Sequence, residues 1–258
     1  MATIKPKFNE RLYEFCVNAD LVTNLGALIA GYLPGIPSPQ EEGKWGWDAK
    51  IPMPALGRTF LLQYKIAKRT TARAGPNVKF WDTYGDEYYR FNLHRDAAGA
   101  YTQHQLLLNA QGGGVEALYC APMFHAHGDL VASMQAQTVL DDSALIPLAS
   151  LGPASAGAAH SVSYPADSSK GAPTLHSEPR RGERLRWEEL SQRQSTPSAL
   201  DEEAFGTLSE SIINPRRRRK RRDREFRAED PRAEAYLRAS AAAFDEVGAT
   251  LVVLPQGE

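Results

Sequence analysis

The chain of 258 residues is long enough for one large domain, or for one domain with additions, and its 42% share of hydrophobic residues allows a substantial core. No apolar run reaches membrane-spanning length, residues 1–7 lack the apolar stretch of a secretory signal, and two cysteines exclude a disulfide framework. We therefore expect a cytoplasmic protein without a membrane partner. The formal net charge of −1 excludes a uniformly basic or acidic chain, although the charges are unevenly distributed.

The first half of the sequence predicts a helix, strands, a second helix and a further strand, in that order. Asn9 is placed to cap the first helix, because apolar residues recur at helical spacing after it. Aromatic residues on both sides of Gly85 indicate a hairpin. The predicted elements are a helix over 9–30, strands over 47–52 and 58–67, a basic turn over 68–76, hairpin strands over 78–84 and 87–94, a helix over 96–110 and a strand over 115–123.

The second half of the sequence contains shorter elements and a long charged segment. Its last predicted strand, 249–254, is strongly apolar, and we expect such a strand to dock into a sheet. Residues 183–230 are therefore interpreted as a charged insertion within one domain, partly disordered or helical. The other predicted elements are a helix over 130–135, strands over 144–147 and 160–164, a loop over 165–182 and an Ala-rich helix over 233–247.

Two short motifs in the first half carry the most chemistry. Gly46-Trp47-Asp48 is followed by a strand that ends in Gln63-Tyr64-Lys65. Alternation along a strand places Gln63 and Lys65 on one face and Tyr64 on the other. If Asp48 lies on the neighbouring strand, a carboxylate, an amide oxygen and an ammonium converge on one point. These groups are the minimum needed to hold a divalent cation and to stabilise charge at a scissile phosphate.

The order of these motifs resembles that of the PD-(D/E)xK nuclease superfamily. Glu14 on the first helix precedes Asp48 and Gln63-x-Lys65, and a helix carrying Gln103 and His104 then leads into an apolar strand. The resemblance implies an α/β fold with a restriction-endonuclease-like core, in which helices flank a mixed central sheet. It covers roughly 8–124; we assign the nuclease core to 1–182, the Arg-rich insertion to 183–230, and a C-terminal helix and strand that pack back on the core to 231–258.

The resemblance also implies a role for each residue of the motifs. Asp48 is the principal ligand of a Mg²⁺ or Mn²⁺ ion, Gln63 is the second ligand through its side-chain oxygen, and Glu14 is an additional ligand. Lys65 stabilises the charge that develops on the phosphate or orients the attacking water, and Gln103 supports the site. The sequence departs from the family pattern at Gln63, where a neutral amide replaces an acid, and at Trp47, where proline is usual.

Two basic segments are expected to hold the backbone of DNA, because Lys and Arg contact phosphates independently of sequence. The alternative interpretation of the longer segment is a solvated, mobile insertion. The candidate nucleic-acid-binding residues are Lys68, Arg69 and Arg73 in the first segment, and Arg216, Arg217, Arg218, Arg219, Lys220, Arg221 and Arg222 in the second.

Together these features predict a metal-dependent DNA endonuclease, which would be the nuclease effector of a bacterial anti-phage or restriction system. A nuclease without a recognition domain needs restraint, so we expect a larger helicase or ATPase partner, or a homo-oligomer. The alternative is a catalytically inactive protein of the same fold that acts as a nucleic-acid-binding or scaffold subunit. No Walker phosphate-binding loop occurs in the sequence, which argues against ATP hydrolysis by this chain.

A second possible metal site lies at His125-Ala126-His127. On a strand this spacing would point both rings to one face, and His160 and His176 are candidates to complete a zinc or transition-metal site. His125 would equally serve as a polar residue at a strand end, where it would line a substrate groove.

Overall fold

The described strands form two sheets, which we name sheet A and sheet B. Sheet A has six strands in the order β1-β3-β4-β7-β8-β9, and all neighbouring strands in it are antiparallel. Sheet B has four strands in the order β10-β2-β5-β6 and is mixed. The computed structural model describes residues 3–24, 56–75, 78–95, 102–111, 116–155, 158–176, 178, 180–192 and 249–255.

The strands are β1 Thr3–Ile4, β2 Leu56–Tyr64, β3 Lys68–Thr70, β4 Tyr88–Asn92, β5 Glu116–Pro122, β6 Ser143–Pro147, β7 Ser161–Pro165, β8 Thr174–His176, β9 Arg180–Arg181 and β10 Ala249–Pro255. The α-helices are α1 Glu10–Asn24, α2 Val78–Tyr84, α3 Thr102–Gln111, α4 His127–Ala136, α5 Leu148–Leu151 and α6 Trp187–Gln192, with a 3₁₀ turn at Ser168–Lys170.

Sheet B contains the strand that carries the Gln63-x-Lys65 motif. β2 runs parallel to β5, with Gln63 opposite Tyr119, and β10 pairs antiparallel to β2, with Ala249 opposite Gln63. The prediction that the last apolar strand docks into a sheet is therefore confirmed. The prediction of a mixed α/β architecture is also confirmed. The finer assignment to a restriction-endonuclease-like core stays a prediction.

The two sheets pack face to face around one hydrophobic core, which we call the inter-sheet core. The ring of Phe91 in sheet A lies 5.2 Å from the ring of Tyr119 in sheet B, in an edge-on arrangement. The hydroxyl of Tyr164 in sheet A donates to the carbonyl of Pro122 in sheet B at 2.8 Å. The core also contains Leu61, Tyr89, Leu107, Ile146, Leu148, Val162 and Leu175.

A second core lies on the opposite face of sheet B, against helices α1, α4 and α6. The periodicity of α1 places Tyr13, Cys16 and Val17 against this face, where they meet Leu62 and Tyr64. The predicted cap of α1 is confirmed, because the side-chain oxygen of Asn9 accepts from the backbone N–H of Leu12 at 2.8 Å. Alternate residues of β2 therefore face two different cores.

Three predictions of local structure are wrong. Val78–Tyr84 is a helix and not a hairpin strand, because Phe80 and Tyr84 are spaced i, i+4 and pack together against Tyr88 on the outer face of sheet A. Lys68–Thr70 is a strand and not a turn, because it pairs with Tyr88–Arg90 of β4. The predicted loop over 165–182 contains β8 and β9, which extend sheet A beyond β7. In each case strand pairing or side-chain packing with another element outweighs the preference of the local sequence for a different secondary structure.

Several other predictions of local structure agree with the described elements. The strands predicted near 58–67, 87–94, 115–123, 144–147 and 160–164 correspond to β2, β4, β5, β6 and β7, and the helices predicted at 96–110 and 130–135 correspond to α3 and α4. The predicted strand 47–52, helix 233–247 and basic run 216–222 lie outside the described residues. No helix among the described residues is long and apolar enough to cross a membrane.

Candidate functional site

Lys65 lies at the end of β2, where the chain leaves sheet B. Its backbone N–H donates to the carbonyl of Cys120 at 3.0 Å, so the pairing of β2 with β5 continues to this residue. Its ammonium donates to the side-chain oxygen of Gln103 at 3.2 Å and lies 6.0 Å from the centre of the Tyr119 ring. Gln103 is in the first turn of α3. The structure thus brings together two of the predicted site residues, Lys65 and Gln103.

The environment of Lys65 is that of a desolvated cation. Burial lowers the pKa of its ammonium, and the carboxylate of Glu10 acts in the opposite direction. Among the described residues, no carboxylate lies within ion-pair distance of this ammonium. A partly buried ammonium held by an amide oxygen and an aromatic ring is well placed to interact with an anion.

Gln63 is buried in sheet B, with 3% of its surface exposed. Leu61 faces the inter-sheet core and Tyr64 faces the second core, so Gln63 and Lys65 point to the inter-sheet side of β2. This confirms the predicted alternation of the motif. The amide nitrogen of Gln63 donates to the carbonyl of Tyr64 at 3.4 Å. A metal would be bound by the side-chain oxygen, because an amide nitrogen has no lone pair to offer.

His104 and Tyr119 form a buried pair behind Lys65 that sequence reasoning missed. The Nε2 atom of His104 lies 2.8 Å from the carbonyl of Gly152, which only accepts, so this nitrogen carries a proton and donates. Burial lowers the pKa of His104, so the ring is neutral and its Nδ1 accepts from the Tyr119 hydroxyl at 2.7 Å. The ring that contacts Lys65 is therefore fixed from behind, and no motif in the sequence signals this.

The two glutamates of α1 differ in their relation to Lys65. Burial and Glu10 raise the pKa of Glu14, whereas Arg11 lowers it; Glu14 makes no contact with Gln63 or Lys65 in the part of the chain that the structure describes. The carboxylate whose field reaches Lys65 belongs to Glu10, one turn earlier on the same helix.

A metal centre at Gln63 would require Asp48, which lies outside the described residues. Within the described ranges, no three His, Cys, Asp or Glu side chains lie close enough to form a metal site among themselves. The side-chain oxygen of Gln63 and the carboxylate of Asp48 would match the oxygen ligands that Mg²⁺ prefers, whereas the ammonium of Lys65 is not a metal ligand. The residues present therefore fit the metal, provided that Asp48 reaches Gln63.

Three of the four histidines of the alternative metal site contact different partners, and the fourth lies on a helix. His125 accepts from the guanidinium of Arg69 at 3.4 Å, and His127 is the first residue of α4, so the two rings do not share a strand face. His160 approaches the carbonyl of Ser155 at 2.9 Å, and His176 approaches the hydroxyl of Ser163. A metal site built from these histidines is not formed among the described residues.

The first basic segment is largely engaged in ion pairs. Arg69 pairs with Glu87 and Arg73 with Asp82, the latter at 2.7 Å. Lys68 is exposed at the start of β3, and no carboxylate of the described residues pairs with it. Only one of the three predicted cations in this segment therefore keeps an uncompensated charge. The second basic segment, Arg216 to Arg222, lies outside the described residues.

Replacing His176 with glutamine is expected to reduce the acid sensitivity of the fold. Burial, and then the charges of Arg90 and Lys79, lower the pKa of His176 to about 4 from an ordinary value of 6.5. As the pH falls from 6.5 towards 4, the unfolded chain takes up a proton at this residue before the folded protein does, so stability is lost in that window. His176→Gln should reduce this loss by up to about 1.4 kcal/mol per pH unit.

The measurement is the urea midpoint at pH 7 and at pH 5 for wild type and variant. His94→Gln is the matched control, because His94 is exposed at the end of β4. Equal acid losses in wild type and His176→Gln would contradict the assignment of His176 as a histidine that is neutral when folded.

Comparisons of the chain with protein-family models, with curated proteins and with solved structures find no match.

Proposed function

We propose that the protein is a metal-dependent DNA endonuclease whose centre lies at the end of β2. The observation that carries the proposal is the contact between Lys65 and Gln103, on the same face of β2 as the buried amide of Gln63. These residues come from a strand and from a helix far apart in the sequence, and the resemblance to PD-(D/E)xK nucleases assigns all three to one site. A desolvated lysine without a carboxylate partner among the described residues suits stabilisation of charge on a phosphate.

In this proposal Asp48 and Gln63 hold a Mg²⁺ or Mn²⁺ ion, which would supply Lewis-acid activation of the scissile phosphate. Lys65 places its ammonium where negative charge develops on the phosphate oxygens. Gln103 and the ring of Tyr119 keep that ammonium in position, and His104 fixes Tyr119 through its hydroxyl. Glu14 would be an additional ligand of this ion, and the carboxylate that acts on the pKa of Lys65 is that of Glu10.

A second candidate function is that of a nucleic-acid-binding or scaffold subunit without catalysis. The observation that favours it is Gln63 itself, because a buried neutral amide adds no charge to a metal site. The two functions are distinguished by whether a divalent metal ion stabilises the folded protein. A working site should raise the melting temperature when Mn²⁺ or Mg²⁺ is added, whereas an inactive site should not.

The setting that we propose is a bacterial anti-phage or restriction system. The described part of the chain contains no separate domain for sequence recognition, and an unrestrained nuclease would damage its own genome. Control by a larger helicase or ATPase subunit, or by self-association, satisfies this requirement. The protein would then act in the cytoplasm as the nuclease effector of the assembly.

The experiment is incubation of supercoiled plasmid DNA with the purified chain and 5–10 mM Mg²⁺, roughly the excess needed to saturate a weak oxygen-ligand site. We expect nicked and linear DNA in the presence of Mg²⁺ and none in EDTA. Asp48→Ala should abolish the cleavage, whereas Asp86→Ala, a matched change in the turn before β4, should not. Cleavage that persists in Asp48→Ala and in EDTA would overturn the proposal.

A further inference from the structure

The outer face of sheet A carries a row of cations, of which Lys68 alone belongs to the basic segments that the sequence indicated. In the strand register Lys68 lies opposite Arg90, Arg90 opposite Ser163, Ser163 opposite Thr174, and Thr174 opposite Arg181. The row crosses five strands, which corresponds to about 19 Å at the usual strand spacing. Its members share the face of sheet A that points away from the inter-sheet core, because Tyr89, Val162 and Leu175 between them face that core.

A fourth cation joins this row from helix α2. The ammonium of Lys79 lies 4.9 Å from the centre of the Phe80 ring, and the guanidinium of Arg90 lies 4.7 Å from the same ring. Phe80 in turn packs edge-on against the ring of His176 at 4.2 Å. Lys79 and Arg90 are therefore neighbours across one aromatic ring, which brings two like charges together.

The charges on this face are not balanced by acids. None of Lys68, Lys79, Arg90 and Arg181 forms an ion pair within the described ranges, whereas Arg69, Arg73 and Lys170 do. After burial, the two groups that lower the pKa of His176 are both cations, Arg90 and Lys79. The field of Arg181 reaches the hydroxyl of Tyr84 on the same face. Lys68, Lys79, Arg90 and Arg181 thus place four positive charges on the outer face of sheet A, none of them in an ion pair with a described residue.

We propose that this outer basic surface, formed by Lys68, Lys79, Arg90 and Arg181, binds the phosphodiester backbone of duplex DNA without sequence preference. The inference deepens the proposed function and rests on it for the identity of the polyanion. Like charges held together repel one another, and a polyanion that spans them removes this repulsion and releases its own counterions. The cations themselves supply the contacts with phosphates, because Ser163 and Thr174 in the middle of the row are buried, Ser163 beneath the hydroxyl of Tyr84.

One end of the surface lies close in the chain to the proposed cleavage centre. Lys65 and Lys68 are three residues apart, and the chain between them passes from sheet B to sheet A. A segment of this length spans at most about 11 Å. The Lys68 end of the row is therefore the end nearer to Lys65 along the chain, and DNA bound there would have to pass the edge of sheet A to reach Lys65, which points to the inter-sheet side of β2.

The test is binding of the full chain to a labelled 30-base-pair duplex in EDTA, followed by fluorescence anisotropy over a range of NaCl concentrations. The variants are Lys79→Gln, Arg90→Gln and the double variant. Each single change should weaken binding about five- to tenfold at 100 mM salt and reduce the slope of log K against log salt by about 1. The double variant should reduce that slope by about 2.

Arg11→Gln is the matched control, because Arg11 is an exposed cation on α1, the helix that packs on the far face of sheet B. Its affinity for DNA should equal that of the wild type. Lys79 is exposed, so its variant tests the inference even if Arg90→Gln, whose guanidinium packs on Phe80, fails to fold. Unchanged affinity and salt slope in Lys79→Gln would overturn the inference, as would tighter binding to duplex RNA of the same sequence.

Binding in EDTA is independent of cleavage, so the two proposals fail separately. A wild type that binds DNA through Lys79 and Arg90 but never cleaves it would retain the surface and refute the nuclease. A wild type that cleaves DNA, with Lys79→Gln and Arg90→Gln binding normally, would refute the surface alone.

Discussion

Lys65→Ala is expected to lower the rate of Mg²⁺-dependent DNA cleavage by about 100- to 1000-fold, the usual effect of removing one group that stabilises developing charge. The described environment gives the ammonium an amide and an aromatic ring as neighbours and no carboxylate, so its charge is available to the phosphate. The measurement is the single-turnover rate on linear duplex DNA at saturating enzyme, which separates chemistry from binding and product release.

Lys5→Ala is the matched control for this prediction, since Lys5 is exposed next to β1 and the same substitution there removes only a solvated charge. Gln103→Ala should slow cleavage less than Lys65→Ala, because Gln103 positions the ammonium and does not supply the charge. Cleavage by Lys65→Ala at the wild-type rate, with the fold intact by circular dichroism, would contradict the assigned role of Lys65.

Tyr164→Ala is expected to lower the free energy of unfolding by about 3–5 kcal/mol, as for other large aromatic side chains truncated in a core. Tyr164 is fully buried between the two sheets and stacks on Tyr89 at 5.7 Å. Its hydroxyl donates to the Pro122 carbonyl of sheet B, so truncation also leaves that buried acceptor unsatisfied. The measurement is the urea denaturation curve of each protein, analysed with a common slope.

Two further variants separate the components of this effect. Tyr164→Phe removes only the hydroxyl and should cost about 1–2 kcal/mol. Phe15→Ala should change stability by less than about 0.5 kcal/mol, because 61% of the Phe15 surface is exposed on α1. A loss below 1 kcal/mol, roughly the scale of an exposed position, for Tyr164→Ala would contradict the packing of the two sheets around one core.

The elements that could be predicted from the sequence are those whose local pattern agrees with their final environment. The apolar runs of β5 and β6 are buried in sheet B, and Asn9 caps α1 as its type and position predict. Val78–Tyr84 was predicted as a strand because its aromatic residues suit strands, yet contacts with Tyr88 favour a helix. Such contacts join residues from different elements, and the spacing of apolar residues within one segment does not reveal them.

The same distinction applies to the candidate site. The spacing of Gln63 and Lys65 correctly predicts their shared face. The structure places Lys65 beside Gln103, a residue that the resemblance assigns to the same site. The support of Tyr119 by His104 depends on the carbonyl of Gly152, 48 residues away from His104, and no spacing indicates it.

The outer basic surface shows how strand register creates a charged face. Lys68, Arg90 and Arg181 lie far apart in the sequence and become a row only when sheet A forms. The run from Arg216 to Arg222, by contrast, is dense because its charges are adjacent in the chain. A run of adjacent charges in the sequence therefore does not by itself identify a charged surface. A phosphate backbone is attracted by the charge of the folded surface.

The central claim is that Asp48 and Gln63 hold a divalent ion beside Lys65. The measurement that tests it most directly is a crystal structure of the chain grown with Mn²⁺, with anomalous difference density collected near the manganese absorption edge. We expect a peak about 2 Å from the side-chain oxygen of Gln63, with the carboxylate of Asp48 bound to the same ion. A manganese peak elsewhere, such as at His125, or none at Gln63 under conditions that saturate cleavage, would contradict it.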